Sequence, residues 1–189
     1  MSERRLSQAI AEGDGISVLV EVGDGNAGRT AAVQGAEGVV LRGKTSLEGS
    51  GLPVLAYGPS PDEAASLGAD AVVVSLEVED ATLDALAHRA SVLGLECVLR
   101  VRDEDDVERA LEHLDPEVFL LAVDDRSDAG TELERLLELL PDVPAGKLAI
   151  AELPGATRAD IEELERAGVD AVVVSGDVAD LVGVVPPEV

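Results

Sequence analysis

Tryptophan is absent from this chain, and cysteine, methionine, tyrosine and phenylalanine occur once each. A lone cysteine, Cys97, excludes an intrachain disulfide and any Cys-based metal cage. It opens a predicted strand and reads as a small core residue. Tyr57 and Phe119 are the only aromatics, 1% of the residues. The core therefore has to be built from Val, Leu, Ile and Ala, and with 46% hydrophobic residues there is enough of them. No apolar run approaches the roughly 18 residues a membrane helix needs. The opening Met-Ser-Glu-Arg-Arg leads into no apolar stretch of the kind a secretory signal carries. Both absences point to a cytoplasmic chain.

Positive charge is also scarce. There are 14 Lys and Arg against 39 Asp and Glu, a formal charge of −25, and the only lysines are Lys44 and Lys147. A nucleic-acid partner needs a basic footprint, and an anionic membrane surface needs basic clusters, so both are excluded. The acids fall mostly on predicted helix faces, as in Asp103-Glu-Asp-Asp106 and Glu162-Glu163, and read as solvated surface. High acid, low lysine and small apolar side chains together fit a halophilic, salt-rich setting. The two histidines, His88 within a predicted helix and His113 near a helix end, read as solvent-side residues. No Ser-His-Asp set, His-Glu-x-x-His or P-loop is present, so neither a metal nor a cofactor is expected.

What the chain does have is a repeated phrase. Leu67-Gly-Ala-Asp-Ala-Val-Val-Val-Ser75 and Ala167-Gly-Val-Asp-Ala-Val-Val-Val-Ser175 are nearly identical, and Gly35-Ala-Glu-Gly-Val-Val-Leu41 is a weaker copy. Each places a glycine where a helix ends and follows it with a short apolar run that reads as a buried strand. Helix, glycine, buried strand is the unit of a parallel α/β fold. Short β-branched runs mark strands at 17–22, 38–41, 53–56, 71–75, 97–101, 118–123, 147–151 and 171–175. Helical periodicity covers 80–93, 103–114, 131–140 and 157–167, with short helices at 26–34 and 61–67, a turn or two at 44–51 and a last helix at 178–184. Thr157 with Asp160 makes a near capping box, and Gly94 and Gly168 sit where helix-ending glycines belong.

Strand–helix units in this number, without a second domain, predict one compact (β/α)8 TIM barrel over residues 1–189, with the repeated phrases as the opposed fourth and eighth strands. The alternative is an open doubly wound parallel sheet. Gly23-Asp-Gly-Asn-Ala-Gly28 supplies a literal G-x-G-x-x-G between a strand and a helix. A dinucleotide fold would then want an acid about 20 residues on. The second strand ends instead in Arg42, a residue suited to a ribose 2′-phosphate.

In a barrel, chemistry belongs to the C-terminal strand ends. Those ends carry Glu21 and Gly23, Arg42 and Lys44, Tyr57, Ser75 and Glu77, Arg100 and Arg102, Asp124 to Arg126, Glu152, and Ser175 with Gly176. Glu21, Arg126 and Glu152 are the ionisable groups expected in a central pocket, or else in rim salt bridges. Ser175-Gly176-Asp177 either offers backbone N–H groups to a phosphate or simply caps a helix.

From about Gly51 to Gly176 the order of phrases resembles the indole-3-glycerol phosphate synthase family. They run Leu52-Pro-Val-Leu55, Gly68-Ala-Asp-Ala-Val-Val-Val-Ser75, Leu93-Gly-Leu-Glu-Cys-Val98 and Asp103-Glu-Asp-Asp-Val-Glu-Arg-Ala-Leu111. Asp124-Asp-Arg126, Ala151-Glu152 and Arg166-Ala-Gly-Val-Asp-Ala-Val-Val-Val174 complete the set. Ser17-Val-Leu-Val-Glu-Val22 fits the family's first strand more loosely. The resemblance implies a (β/α)8 carbon–carbon lyase of tryptophan biosynthesis, metal-free, closing the indole ring of carboxyphenylamino-deoxyribulose phosphate. It matches Glu21, Arg126 and Glu152 to family site residues. It departs where the family's third-strand lysine falls on Tyr57, its first-strand lysine on Gly23, its fifth-strand glutamate on Arg100 and its sixth-strand asparagine on Asp124. Leu153-Pro154 replace a Ser-Gly, and Ser175 with Gly176 stand at the phosphate end of strand eight. On this resemblance Arg100 and Arg126 hold an anionic, phosphorylated ligand with Glu152, Ser175 and Gly176. Glu21 is a polar anchor in the catalytic set, and Tyr57 or Lys44 is the proton donor. Arg100 reverses the family's charge, and tyrosine is a weak acid beside a depressed lysine. A non-catalytic paralogue that binds a ligand or a protein partner is therefore the alternative function.

Overall fold

The repeated phrases become β4 (Ala71–Ser75) and β8 (Ala171–Ser175), and they carry the same hydrogen bonds. Asp70 donates its N–H to Val54 O and accepts Val54 N on its carboxylate, both at 2.9 Å. Asp170 donates to Ala149 O at 2.9 Å and accepts Ala149 N at 2.8 Å. Each aspartate carbonyl then receives the first N–H of the following strand, Glu96 on one side and Ser17 on the other. A short acidic side chain just ahead of a strand thus pairs backbone groups that the ladder has not yet reached.

The protein is seen in a computed structural model, which describes residues 6–43, 51–58, 60–123, 131–179 and 181. The remaining strands are β1 (Ser17–Val22), β2 (Gly38–Arg42), β3 (Val54–Tyr57), β5 (Glu96–Val101), β6 (Val118–Leu121) and β7 (Leu148–Glu152). All eight pair in parallel in chain order, and β8 returns to β1 to close the barrel. The α-helices among the described residues are α1 (Leu6–Ala11), α2 (Gly25–Val33), α3 (Pro61–Ser66), α4 (Asp80–Val92), α5 (Glu104–His113), α6 (Glu132–Leu139) and α7 (Arg158–Ala167), and a 3₁₀ turn at Leu140–Asp142 follows α6. None is long and apolar enough to cross a membrane.

A closed barrel excludes the open doubly wound sheet. The G-x-G-x-x-G is a helix start. Asp24 caps α2, its carboxylate accepting Asn26 N at 2.9 Å and Ala27 N at 2.8 Å. The N–H groups a pyrophosphate would need are already bonded by that side chain.

Strand periodicity sorts the apolar residues into two cores. Leu19, Val40, Leu55, Val73, Val98, Leu120, Ile150 and Val173 point into the barrel. Val20, Leu41, Ala56, Val72, Leu99, Phe119, Ala151 and Val172 face the helices. With so few aromatics, this packing is almost wholly aliphatic; of the two aromatic residues Phe119 is fully buried and Tyr57 is not. Gly38 is needed for closeness, since a Cβ there would meet Leu19 Cδ2 at 2.6 Å.

One element escapes the sequence reading, which marks nothing ahead of β1. Helix α1 closes the N-terminal end of the barrel, with Leu6 and Ile10 in the interior cluster. Ser7 N donates to Glu96 Oε2 at 3.0 Å, and its hydroxyl bonds the same carboxylate. Strand limits shift by a residue or two. The third strand begins at Val54 because Pro53 has no N–H to give, though its carbonyl accepts Val39 N at 3.0 Å. Thr157 and Asp160 form the capping box, and Gly168 ends α7 in the left-handed region at φ 97°. Segment 44–51 lies outside the described residues apart from Gly51, and most of 178–184 does too.

Candidate functional site

Two residues beyond each inward apolar side chain, the next inward position lies at the C-terminal mouth. There the aliphatic pattern stops. Following Leu19, Val40, Leu55, Val73, Val98, Ile150 and Val173 come Glu21, Arg42, Tyr57, Ser75, Arg100, Glu152 and Ser175. The ladder sets them side by side: Glu21 opposite Ser175, Arg42 opposite Tyr57, Ser75 opposite Arg100. Polar residues at every described strand end but one make a ring over an apolar interior; β6 has Ala122 there, buried.

The charged members bond to one another. Arg42 Nε donates to Glu21 Oε2 at 3.0 Å, and a terminal nitrogen of Arg42 bonds Glu152 Oε1. Arg100 Nε reaches Glu152 Oε2 at 3.4 Å, and Tyr57 Oη donates to the same oxygen at 3.3 Å. Ser175 Oγ donates to Glu21 Oε2 at 3.2 Å. The Arg42 guanidinium lies 3.8 Å from the centre of the Tyr57 ring, a cation–π contact. The Arg100 and Glu152 side chains are each only 13% exposed, while Arg42 is 33% exposed. So Glu152 collects donors from β2, β3 and β5, and Arg42 bridges β1 and β7.

Burial raises the Tyr57 phenol above its usual value; the Glu152 charge adds to this, and Arg100 and Arg42 oppose it. Burial works against the charged form of Arg42, yet its bonds and attraction to Glu152, with Tyr57 and Glu21 helping, leave its pKa raised. Arg102 leaves the pocket for the rim, bonding Asp106 Oδ2 at 2.9 Å and Glu77 Oε1 at 2.7 Å. Beside Arg100 a cavity of about 350 Å³ opens over β3–β5, with Tyr57, Ser75, Glu77, Val78 and Leu86 on its walls.

Of the residues singled out in the sequence, Glu21, Tyr57, Arg100, Glu152 and Ser175 share this layer. Lys44 and Arg126 lie outside the described residues. Gly176 follows β8 at φ 94°, and Ser175 N is bonded to Pro154 O at 3.0 Å, so that amide is engaged within the protein. Arg42 is central here, although as a sequence position it is only a strand end or a 2′-phosphate ligand. Its place two after Val40 gives its facing; its reach across the mouth is a matter of three dimensions. Cys97 is partly buried with its thiol pushed up to about 11 by burial, and it packs on the outer core. Among the described residues no group of three or more His, Cys, Asp or Glu is placed to hold a metal ion.

A closed parallel (β/α)8 barrel with a polar, arginine-bearing layer at its C-terminal mouth is a TIM barrel, a class of protein whose functional sites lie at that face. Residues 61–180 match the family model of indole-3-glycerol phosphate synthase. The chain is 32% identical to the indole-3-glycerol phosphate synthase of Variovorax paradoxus (strain S110), an alignment covering 89% of this chain and 64% of that protein. This chain belongs to the indole-3-glycerol phosphate synthase family, and it spans about 64% of the length of that relative. Solved barrels share the fold at lower identity. The N-acetylmannosamine-6-phosphate 2-epimerase of Clostridium perfringens superposes with TM-score 0.66 at 14% identity, over 87% of this chain and 88% of that one. A 3-hexulose-6-phosphate synthase gives 0.63 at 21%, over 88% and 94%.

Proposed function

We propose that this barrel binds a phosphorylated, anionic small molecule at its C-terminal mouth, and that it keeps the binding side of a tryptophan-pathway carbon–carbon lyase more fully than its turnover. The whole of 1–189 acts in this reading as one barrel domain. The observation that carries it is Arg100 in the bonded polar layer, where the family resemblance expects a glutamate. A guanidinium cannot act as an acid or base near neutral pH, but it presents a fork of donors to a phosphate or carboxylate. Arg126 adds a second cation on this reading, Glu21 and Glu152 orient the arginines, and Ser175 with Gly176 closes the β8 side.

Ring closure with loss of CO₂ and water needs a proton donor with a pKa near working pH. Tyr57, whose phenol is raised by burial and by Glu152, moves in the wrong direction for that task. Lys44 is the other candidate donor. Turnover of the family substrate is therefore expected to be slow or absent, and the same two positions favour a second reading, a non-catalytic paralogue that serves a protein partner.

Thermal unfolding in molar KCl, with and without carboxyphenylamino-deoxyribulose phosphate, separates the two. Ligand at about 100 times its dissociation constant adds about 2.7 kcal/mol of stability. An upward shift supports the binding barrel, and an assay for indole-glycerol phosphate then measures what turnover remains. An unshifted midpoint with intact fold overturns the binding barrel and favours the paralogue. A clean monomer without companions in a native high-salt extract counts against the paralogue.

A further inference from the structure

We infer that Arg42, Glu152 and Arg100 form an exchangeable anion site, in which the Glu152 carboxylate holds the place of a phosphate group on the ligand. The inference rests on the binding reading above and names the subsite within it. Arg42 on β2 and Arg100 on β5 both bond Glu152 on β7, so two guanidiniums from separate strands converge on one carboxylate. Convergence of this kind is what a phosphate monoester requires, since its three terminal oxygens accept from several donors at once.

A purely structural plug would be built differently. The layer below is made of Leu19, Val40, Leu55, Val98 and Ile150, and one more aliphatic layer would close the barrel without taking charges from water. Buried ion pairs give little net stability, because desolvation offsets their attraction. The ring is also poised for entry. The Arg42 side chain keeps 33% of its surface exposed while Tyr57 holds its guanidinium plane from beneath. A cavity of about 350 Å³ shares Arg100 and Tyr57 with this site and could take the body of a phosphate ester. The β8 end is less open to an anion through its first amide, because Ser175 N is already bonded to Pro154 O.

Exchange raises the negative charge held by the two guanidiniums from one to two, which matches their two positive charges. Glu152 swings off the two guanidiniums, a dianionic phosphate takes its place, and Glu21 stays on Arg42. A monocarboxylate ligand would only replace one carboxylate by another, so the site favours phosphate over carboxylate.

The test titrates inorganic phosphate, glycerol 3-phosphate and acetate calorimetrically into the wild type, Glu152→Gln and Arg42→Gln at fixed ionic strength. Glu152→Gln removes the competing charge and should tighten phosphate binding. Arg42→Gln should weaken it about ten-fold or more, as loss of one partner in a charged pair does. Acetate should not bind the wild type measurably, since there it would only replace one carboxylate by another. Tighter glycerol 3-phosphate than phosphate assigns the site to esters; equal affinity assigns it to free phosphate, and both support the exchange. Phosphate binding to the wild type that neither substitution changes by more than about two-fold overturns the inference and leaves the binding reading standing. No binding by any of the three overturns both. Should Arg42→Gln lose its circular-dichroism signature of folding, the direction of the Glu152→Gln change alone decides.

Discussion

Glu152 decides the electrostatics of the mouth, because Arg42, Arg100 and Tyr57 all aim at its two oxygens. Tyr57 reports on that arrangement directly. It is the only tyrosine and the chain has no tryptophan, so tyrosinate absorbance follows this one phenol. Its midpoint should lie above the ordinary value near 10, since burial and Glu152 both hold the proton on. Glu152→Gln should lower the midpoint, and Arg42→Gln should raise it further, because Arg42 favours the phenolate. A native group that keeps its proton longer than the unfolded chain contributes stability that is full below pH 10 and is lost as pH rises through the folded value. Denaturant melts above pH 10 should therefore lose stability faster in the wild type than in Tyr57→Phe. An ordinary midpoint, unmoved by either substitution, would contradict the contacts of Tyr57 with Glu152 and Arg42. Much of this layer is legible in sequence. Glu21, Tyr57, Arg100, Glu152 and Ser175 each stand two places after a buried strand residue, and period-two alternation is enough to turn them inward. Alternation does not tell how far a side chain reaches. Arg42 satisfies the same rule, but only the curvature of a closed barrel brings it from β2 to Glu152 on β7.

At the scale of elements, the repeated phrase is more than a likeness of strands. Asp70 and Asp170 each satisfy a backbone N–H at the start of the preceding strand. Asp70→Ala and Asp170→Ala should each cost about 1–3 kcal/mol, the penalty for leaving such a donor without its partner. As β4 and β8 are opposed in the ring, the two costs should add, and a double variant measured by urea melts checks this. Asp70→Asn is expected to behave differently. Burial raises the Asp70 carboxyl above its usual range, so its ionised form opposes folding at neutral pH. Asparagine keeps an acceptor oxygen and sheds the charge, and this variant should be at least as stable as the wild type. The helix–glycine–strand rhythm is readable along the chain because each unit buries its own apolar stripe locally. Helix α1 is not: with six residues and only Leu6 and Ile10 buried, it gains its place from the barrel floor and from Glu96, far away in sequence.

For the whole molecule, the excess of acid sets the terms. Counting 39 acidic against 14 basic residues leaves −25. Several arginines are already committed, Arg89 to Asp62, Arg109 to Asp80 and Arg158 to Glu162, and acids outnumber bases by 25 over the chain. Salt acts on both. It weakens exposed ion pairs, which contribute about 0–1 kcal/mol each, and it screens the mutual repulsion of the surplus carboxylates, which opposes the compact state. With so large a surplus the second effect outweighs the first. The thermal midpoint should therefore climb as KCl is raised from about 0.05 M to about 1 M, over which the screening length contracts from above 10 Å to about 3 Å. Replacing KCl by NaCl separates screening from ion-specific binding, for screening alone treats the two salts alike. A midpoint that falls with salt would mean the ion pairs dominate, and the acidic surface would then need another reason. The barrel interior, being aliphatic below the mouth, is indifferent to this screening, so the salt response reports on the outer surface while Tyr57 titration reports on the site. A salt-driven rise in midpoint with no change in the Tyr57 titration would separate the two, since among the described residues Glu21 and Glu152 are paired at the mouth with Arg42 and Arg100.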